Sequence, residues 1–449
     1  MLPSTRKIVD RAFTAVAVGS IVLLAATLLV FLAPIVVRGS AAFVFQGTVE
    51  YRRLMFEVMG RGRREAIAAE TAAAAAARQP AYAMVAAFHK ELREGGFAKR
   101  RKYAAPLKDL EDALQVLLGP PPDKESDSPM LRARYGQTRW DRALVKAQIV
   151  LSREEWDFSN AKEMGRKKLA PRAADFQGTA LAPLFPYVES HLGEMLLPRW
   201  TFYWQFLFDN SFDAHLFGGI WPELLGTIYL TIGAMTFAIP LGVISAIYLT
   251  EYSSGGRMVR VLRTFINTLA GVPSIVFGLF GLAFFINTIH VSGSKSVLAG
   301  SMTLALLVLP VVVRAAEEAI QAVPQAYKEA ALSLGAGKWR TVVTVILPAA
   351  LPGILTGIVI SMGRAAGETA PIIFTAAVSV GRALRPSEIF SQPTPALPWN
   401  IYNISTEHAA VDEIRHVQFG MVLTLVLVVL LLNLAAIVMR ARISRKLHG

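Results

Sequence analysis

Between Arg11 and Arg38 the chain runs through 26 uncharged residues, Ala12 to Val37, and between Glu223 and Glu251 it runs through another such stretch, Leu224 to Thr250. A bilayer core needs about 20 apolar residues in a helix, so these stretches restrict the chain to a membrane-spanning fold. Four further stretches complete a set of six expected spans: a segment within Thr264 to Ser294, then Ser296 to Val313, Leu351 to Thr375 and His416 to Met439. The fourth is short, and the reading extends it past Arg314 with that side chain reaching to the interface. The mean hydropathy of +0.43 and 53% hydrophobic content agree with a polytopic membrane protein.

The short loops orient these spans. Arg6, Lys7 and Arg11 precede the first, Arg257, Arg260 and Arg263 follow the second, Arg314, Lys328, Lys338 and Arg340 follow the fourth, and Arg440, Arg442, Arg445 and Lys446 follow the sixth. All fall on one side, which the positive-inside rule makes cytoplasmic. Both termini are therefore expected inside, with residues 39 to 215 outside. The net charge of +13 is largely this asymmetry, and it gives little reason to invoke nucleic acid. A basic start, an apolar run and Ser40-Ala41-Ala42 also fit a cleavable signal peptide. Retention is the expectation, because cleavage would leave an odd number of spans.

The outward region divides the chain into residues 1–38, 39–215 and 216–449. Residues 50 to 118 read as helical, with breaks expected at Pro80, at Gly95-Gly96 and at the Gly119-Pro120-Pro121-Pro122 turn. Met130 to Trp204 holds Trp140, Trp156, Trp200 and Trp204 and enough apolar residues for a small core of its own, with no clean strand pattern longer than a few residues. His89 and His191 are too far apart for a metal pair, and there is no cysteine. Basic runs at Arg61 to Arg64, Lys99 to Lys102 and Arg166 to Lys168 read as solvated helix faces, with a docking or regulatory surface as the alternative.

Two polar segments carry the candidate chemistry. The run Tyr327 to Pro348 is longer than a connection between spans requires, so it is expected to dock a partner. Glu329, Ala330 and Ala331 lie on its helix, the alanines allowing close approach. Gly335 permits reversal, and Leu347-Pro348 is read as restarting a helix at the membrane edge. The second segment, Gly363 to Pro371, places Arg364 and Glu368 four residues apart on one helix face. A charge at bilayer depth costs about 2.5–3.5 kcal/mol, so the two call for a protein-lined or wet path and a mutual ion pair. Arg364 would attract an oxyanion, Glu368 would hold the arginine and ease release, Thr369 would lie beside them, and Gly363 and Gly367 would allow close packing. A purely structural pair is the alternative.

Glu329-Ala330-Ala331, Gly335 and Leu347-Pro348 together resemble the EAA loop through which permeases of ABC importers engage their ATPase, with Val345 standing where that pattern has Ile. GRAAGETAP at 363–371, with Leu269 to Leu279 at the third span, is similar to the permease subunits of the Pst phosphate importer. Pro371 brings it nearer the PstA type than the PstC type. The resemblance covers about half the chain. It implies an all-α protein of six transmembrane helices of the type I ABC-importer kind, here with a mainly helical periplasmic insert that resembles the long form of PstA in some Gram-negative bacteria. It further implies a bacterial inner-membrane location and three kinds of partner: a pair of ATP-binding subunits, a second permease subunit of PstC type and a periplasmic phosphate-binding protein. ATP would be bound by those partners, with no cofactor in this chain. Gly337-Lys338 is the one near match to a phosphate-cradling P-loop, and Leu332 and Trp339 break it, so the chain is read as a transport subunit rather than an enzyme. Permeases for sulfate, molybdate or phosphonate share the EAA loop and remain alternatives, as does a membrane-anchored sensor. A secondary transporter would carry its coupling within the spans, which the EAA-like loop argues against.

Overall fold

The computed structural model describes residues 3–119, 138–157, 166–253, 255–408 and 411–448. Pro120, Pro121 and Pro122, and the start of the Met130 to Trp204 segment, lie outside the described residues, as do the side chains of Arg6, Lys7, Arg166, Lys167, Arg445 and Lys446. The chain forms two compact units, residues 43–204 and the remainder.

Helix α1 (Pro3–Ser40) belongs to the membrane unit and packs on the last helix, where Gly39 sits against Leu423 and Phe419 and the Arg38 guanidinium lies 5.2 Å from the Phe419 ring centre. The inserted unit then begins with β1 (Val44–Gly47), α2 (Val49–Met59), α3 (Arg64–Glu94) and α4 (Phe97–Leu118). It continues with α5 (Trp140–Leu151), β2 (Ser152–Asp157), β3 (Arg166–Pro171), α6 (Leu184–Leu196) and β4 (Arg199–Phe202). Strand β1 pairs antiparallel with β4, Val44 opposite Phe202, and β2 with β3.

Three expectations for this unit are corrected. Helix α3 runs through Pro80 without ending. A proline inside a helix costs about 3 kcal/mol, and tertiary bonds beside it offset that: Arg78 donates to the carbonyls of Met195 and Leu118, and the Tyr187 hydroxyl donates to Ala77 O. The real break is earlier, at Gly60 to Arg63, where Gly60 and Gly62 take φ of +65° and +121°. The second part also has no separate core among the described residues, because Phe88, Tyr103, Leu110 and Leu117 of the first part pack on Phe176, Phe185, Val188 and Met195 of the second in one shared core. Trp156, Trp200 and Trp204 stand exposed instead of filling it. Finally, β2 and β3 form a six-residue ladder where no strand longer than a few residues was expected, its residues Ser152 to Asp157 carrying charge on both faces and so no apolar alternation.

The membrane unit resumes with a two-residue ladder, β5 (Ser211–Phe212) and β6 (Phe217–Gly218), and then α7 (Trp221–Ile247). A π turn extends α7 to Tyr252. Next come α8 (Arg257–Ala270), α9 (Ser274–Gly281) with a π turn to Ile286, and α10 (Val297–Gln321). Helices α11 (Gln325–Ser333) and α12 (Lys338–Thr341) precede a π turn and α13 (Leu347–Gly367), and α14 (Ala370–Thr375), α15 (Leu397–Thr406) and α16 (Val411–His448) complete the chain. Small residues set the packing, as expected where lipid offers no hydrophobic drive. A side chain at Gly233 would strike Ser301 of α10, and one at Gly357 would strike Ala315.

Among the described residues, five helices are long and apolar enough to span a membrane, and α8 with α9 makes a sixth only as a pair bent by 105°. The third expected span is therefore broken at Gly271-Val272-Pro273. Proline disfavours helix in the residue before it, and α9 restarts directly after Pro273. Helix α10 does extend past Arg314 to Gln321, but Arg314 donates to Asn267 Oδ1 of α8 at 2.6 and 3.1 Å.

Candidate functional site

Proline also shapes the fifth span. The ring of Pro371 would meet the carbonyl of residue 367 in a continuous helix, and α13 ends at Gly367. Glu368 is extended (φ −78°, ψ 122°), and α14 begins at Ala370 with Pro371 in its first turn. Arg364 and Glu368 are thus not two positions on one helix face, as the spacing suggested. The arginine sits on the last turn, where a cation is favoured by the helix dipole, and the carboxylate on the break beyond it. Arg364 Nε lies 3.3 Å from Glu368 Oε1, and their side chains are 40% and 21% exposed.

The neighbours of the pair face the other way. Ala365 and Ala366 are buried, as is Ser361, whose hydroxyl has no bonding partner. Gly363 packs at ordinary contact distance from Val429, while nothing stands within 4 Å of where a Gly367 side chain would begin. A side chain would fit at either position, since 3.5 Å to Val429 is an ordinary contact, so the close-packing role expected of Gly363 and Gly367 is not seen inside this chain. Arg364, Gly367 and Glu368 form a charged, open strip at a broken helix.

The two stretches that carry the permease resemblance, Leu269 to Leu279 and Gly363 to Pro371, meet in space. Gly278 of α9 approaches Ala370 and Pro371 so closely that a side chain would come within 3.0 Å of both, and Gly281 likewise faces Thr303 and Thr375. Lys295, which the sequence reading passed over, donates to Ile373 O at 2.7 Å and caps α14. Its signal was available, a single lysine between two apolar spans. On the segment after α14, Arg382 grips Glu388 with two bonds of 2.9 and 2.5 Å, and Arg385 N donates to the same carboxylate at 2.8 Å. The Arg382 bonds and then the Arg385 amide lower the Glu388 carboxyl to about 2.

The second candidate region is the loop after α10. Glu329 and Ala330 are exposed on α11, whereas Ala331 is buried, so Ala330 alone offers a small outward surface. Lys328 bonds Glu251 at the end of α7, and Gly335 takes φ +82°, closing the turn through its N–H to Leu332 O at 2.9 Å. Leu347-Pro348 does not restart a helix. Lys338 to Gly367 is one helical span, and the π turn Val342–Ile346 widens the coil where the Pro348 ring would otherwise meet the Thr344 carbonyl. Tyr327, Leu332, Leu334 and Trp339 are all more than half exposed, Leu334 at 89%. These apolar residues were not singled out from sequence, because spacings of five, two and five residues place them on no single helix face.

Residues 238–449 match the model of the binding-protein-dependent transport system inner membrane component. The phosphate transport system permease protein PstA 1 of Mycobacterium tuberculosis (strain CDC 1551 / Oshkosh) is 40% identical over 231 residues, 51% of this chain and 73% of that protein. The chain belongs to the PstA family of permeases. PstA of Yersinia pestis is 36% identical over 226 residues, 50% of this chain and 73% of its own length. The probable ABC transporter permease protein YqgI of Bacillus subtilis is 35% identical over 253 residues, 54% and 85% of the two chains. Among solved structures, the inward-facing MetNI methionine ABC transporter is similar at 19% identity with a TM-score of 0.39, over 50% of this chain and 94% of that one. The family model begins inside α7, so the inserted unit stands apart from it in this PstA-family permease.

Proposed function

We propose that this PstA-family permease conducts inorganic phosphate across the bacterial inner membrane as one subunit of an ATP-driven importer. The observation that carries the reading is the Arg364–Glu368 pair, turned outward at a broken span in a chain 40% identical to a phosphate permease. A guanidinium offers several donors to a phosphate oxygen, and a carboxylate beside it keeps the anion from binding too tightly to leave. Thr369 adds a hydroxyl at the same break.

The loop from α11 to α12 docks the ATP-binding subunits, with Glu329, Ala330 and Gly335 forming its helix and turn, Ala331 bracing it from inside, and Leu347 and Pro348 carrying its movement into the fifth span. ATP is bound by those subunits alone. A second permease of PstC type faces the Arg364 strip, and a periplasmic phosphate-binding protein delivers substrate. Both termini lie in the cytoplasm. ATP-dependent uptake of labelled phosphate into proteoliposomes holding the co-purified complex tests the reading. The expected result is uptake unaffected by a large excess of sulfate or molybdate, and uptake of either of those in place of phosphate would contradict it.

A further inference from the structure

Helix α8 has no buried residue, yet it carries Met258, Val261, Leu262, Phe265, Ile266 and Leu269 within 14 residues. Met258, Val261, Phe265 and Leu269 recur at three- and four-residue steps and share one face, on which Met258 and Phe265 are 68% and 64% exposed. The opposite face ties the helix to α10: Arg263 Nη2 lies 3.5 Å from Glu317 Oε1, and Asn267 Oδ1 accepts from Arg314. Arg257 and Arg260 lie off the apolar face and are exposed. Among the described residues no acidic side chain pairs with either, Glu317 and Glu251 facing Arg263 and Lys328 instead.

The neighbouring elements fix where α8 lies. Helix α9 packs on the spanning helix α10, Gly281 against Thr303, and α8 departs from α9 at 105°, across the line of α9 rather than along it. The π turn that closes α7 presents Tyr248 and Tyr252, both exposed, and a short link, 253–256, leads from there to α8. Exposed tyrosines at the end of a span mark the bilayer–water boundary.

We propose that α8 lies in the bilayer surface, its Met258, Val261, Phe265 and Leu269 face sunk at the top of the acyl chains and its Arg257 and Arg260 guanidiniums bound to acidic phospholipid headgroups. Only such a boundary is apolar on one side of the helix and anionic on the other. The two arginines supply paired N–H donors for a lipid phosphate, and their stems are long enough to reach it while the helix stays at the surface. A subunit docked here would have to bring its own acidic residues to Arg257 and Arg260, and it would shut lipid out. Arg314 and Glu317 stand in the last turns of α10, before α11, so the anchored helix braces the root of the following loop. Which anion the permease carries has no bearing on this placement.

The chain has no cysteine, so Phe265→Cys gives a single labelling site for a bimane fluorophore. The labelled full chain, alone and in its co-purified complex, is placed in phosphatidylcholine nanodiscs holding an equal small fraction of acyl-brominated phosphatidylglycerol or acyl-brominated phosphatidylcholine. The brominated phosphatidylglycerol is expected to quench the label at least twofold more than the brominated phosphatidylcholine, in chain and complex alike. Adding Arg257→Gln and Arg260→Gln should make the two lipids equal. Salt at about 1 M should do the same with both arginines present, because the Debye length falls to about 3 Å, and this arm decides the matter if the double variant fails to accumulate. Equal quenching by the two lipids with both arginines present at low salt, or a label open to aqueous iodide, would overturn the proposal. Quenching seen in the lone chain and lost in the complex would give the face to a partner subunit and overturn it equally.

Discussion

Pro371 fixes where Arg364 and Glu368 stand, because its ring forbids α13 from continuing beyond Gly367. The charged residues were legible in the sequence since charge is rare in an apolar span, but their geometry was not. Spacing of four implies one helix face only if the helix continues. Close glycine contacts were equally hidden, as a glycine does not announce its neighbour. A side chain at Gly281 would come within 2.1 Å of Thr303 Oγ1, so Gly281→Val is expected to cost about 1–3 kcal/mol through overpacking, read as a lower melting temperature of the detergent-purified chain. An unchanged melting temperature would show that α9 can move away freely. At Glu388 the carboxyl is lowered from its ordinary value of 4.5 to about 2 by Arg382 and the Arg385 amide. A lowered carboxyl lends stability that is present above pH 4.5 and is lost as pH falls through about 2. Exchange of the Arg385 amide, corrected for its intrinsic rate, should therefore accelerate in that window, and Arg382→Gln should move the loss upward. A loss that stays in place would mean that Arg382 is not the cause.

Elements defined by apolar length were read well and elements defined by proline were read unevenly. The sequence reading allowed for a break at Pro80 and a helix start at Pro348, and both positions lie inside helices. Tertiary bonds overrode the first and a π turn absorbed the second, neither of which local sequence encodes. At Pro273 the chain does bend, by 105°, where a single span was expected. The loop proposed to dock the ATP-binding subunits belongs to this scale too. Gly335 lies at φ +82°, and a β-branched residue there is strained by roughly 1–2 kcal/mol, so Gly335→Val should reduce ATP-driven uptake without preventing insertion. Leu334, 89% exposed, is the sharper probe. Burying a leucine is worth about 1.5–3 kcal/mol, hence Leu334→Glu should weaken co-purification of the ATP-binding subunits at least tenfold, by about 1.4 kcal/mol. Undiminished recovery of those subunits would remove Leu334 from the interface.

For the whole molecule, hydropathy and loop charge indicated a membrane core and a large insert, while the core shared by the insert's two parts and its hairpin of β2 and β3 could not be read from polar, Ala-rich sequence. Its ends are hydrogen-bonded neighbours: β1 pairs with β4, and Tyr203 N donates to Phe43 O at 2.7 Å. Paired strands lie about 5 Å apart, so a short Gly/Ser turn can replace residues 45–201 without separating the flanking segments. The shortened chain is expected to insert, assemble and retain part of its uptake, whereas complete loss in an assembled complex would make the insert integral to transport. The central claim is that the positive charge of Arg364 lowers the barrier for phosphate. Its most direct test is ATP-driven phosphate uptake per assembled complex for the native chain, Arg364→Gln, and the double variant Arg364→Gln, Glu368→Gln. The account predicts at least a tenfold drop, about 1.4 kcal/mol on the barrier, in both variants at normal assembly. Full uptake in the double variant would contradict it and reduce the pair to a structural contact.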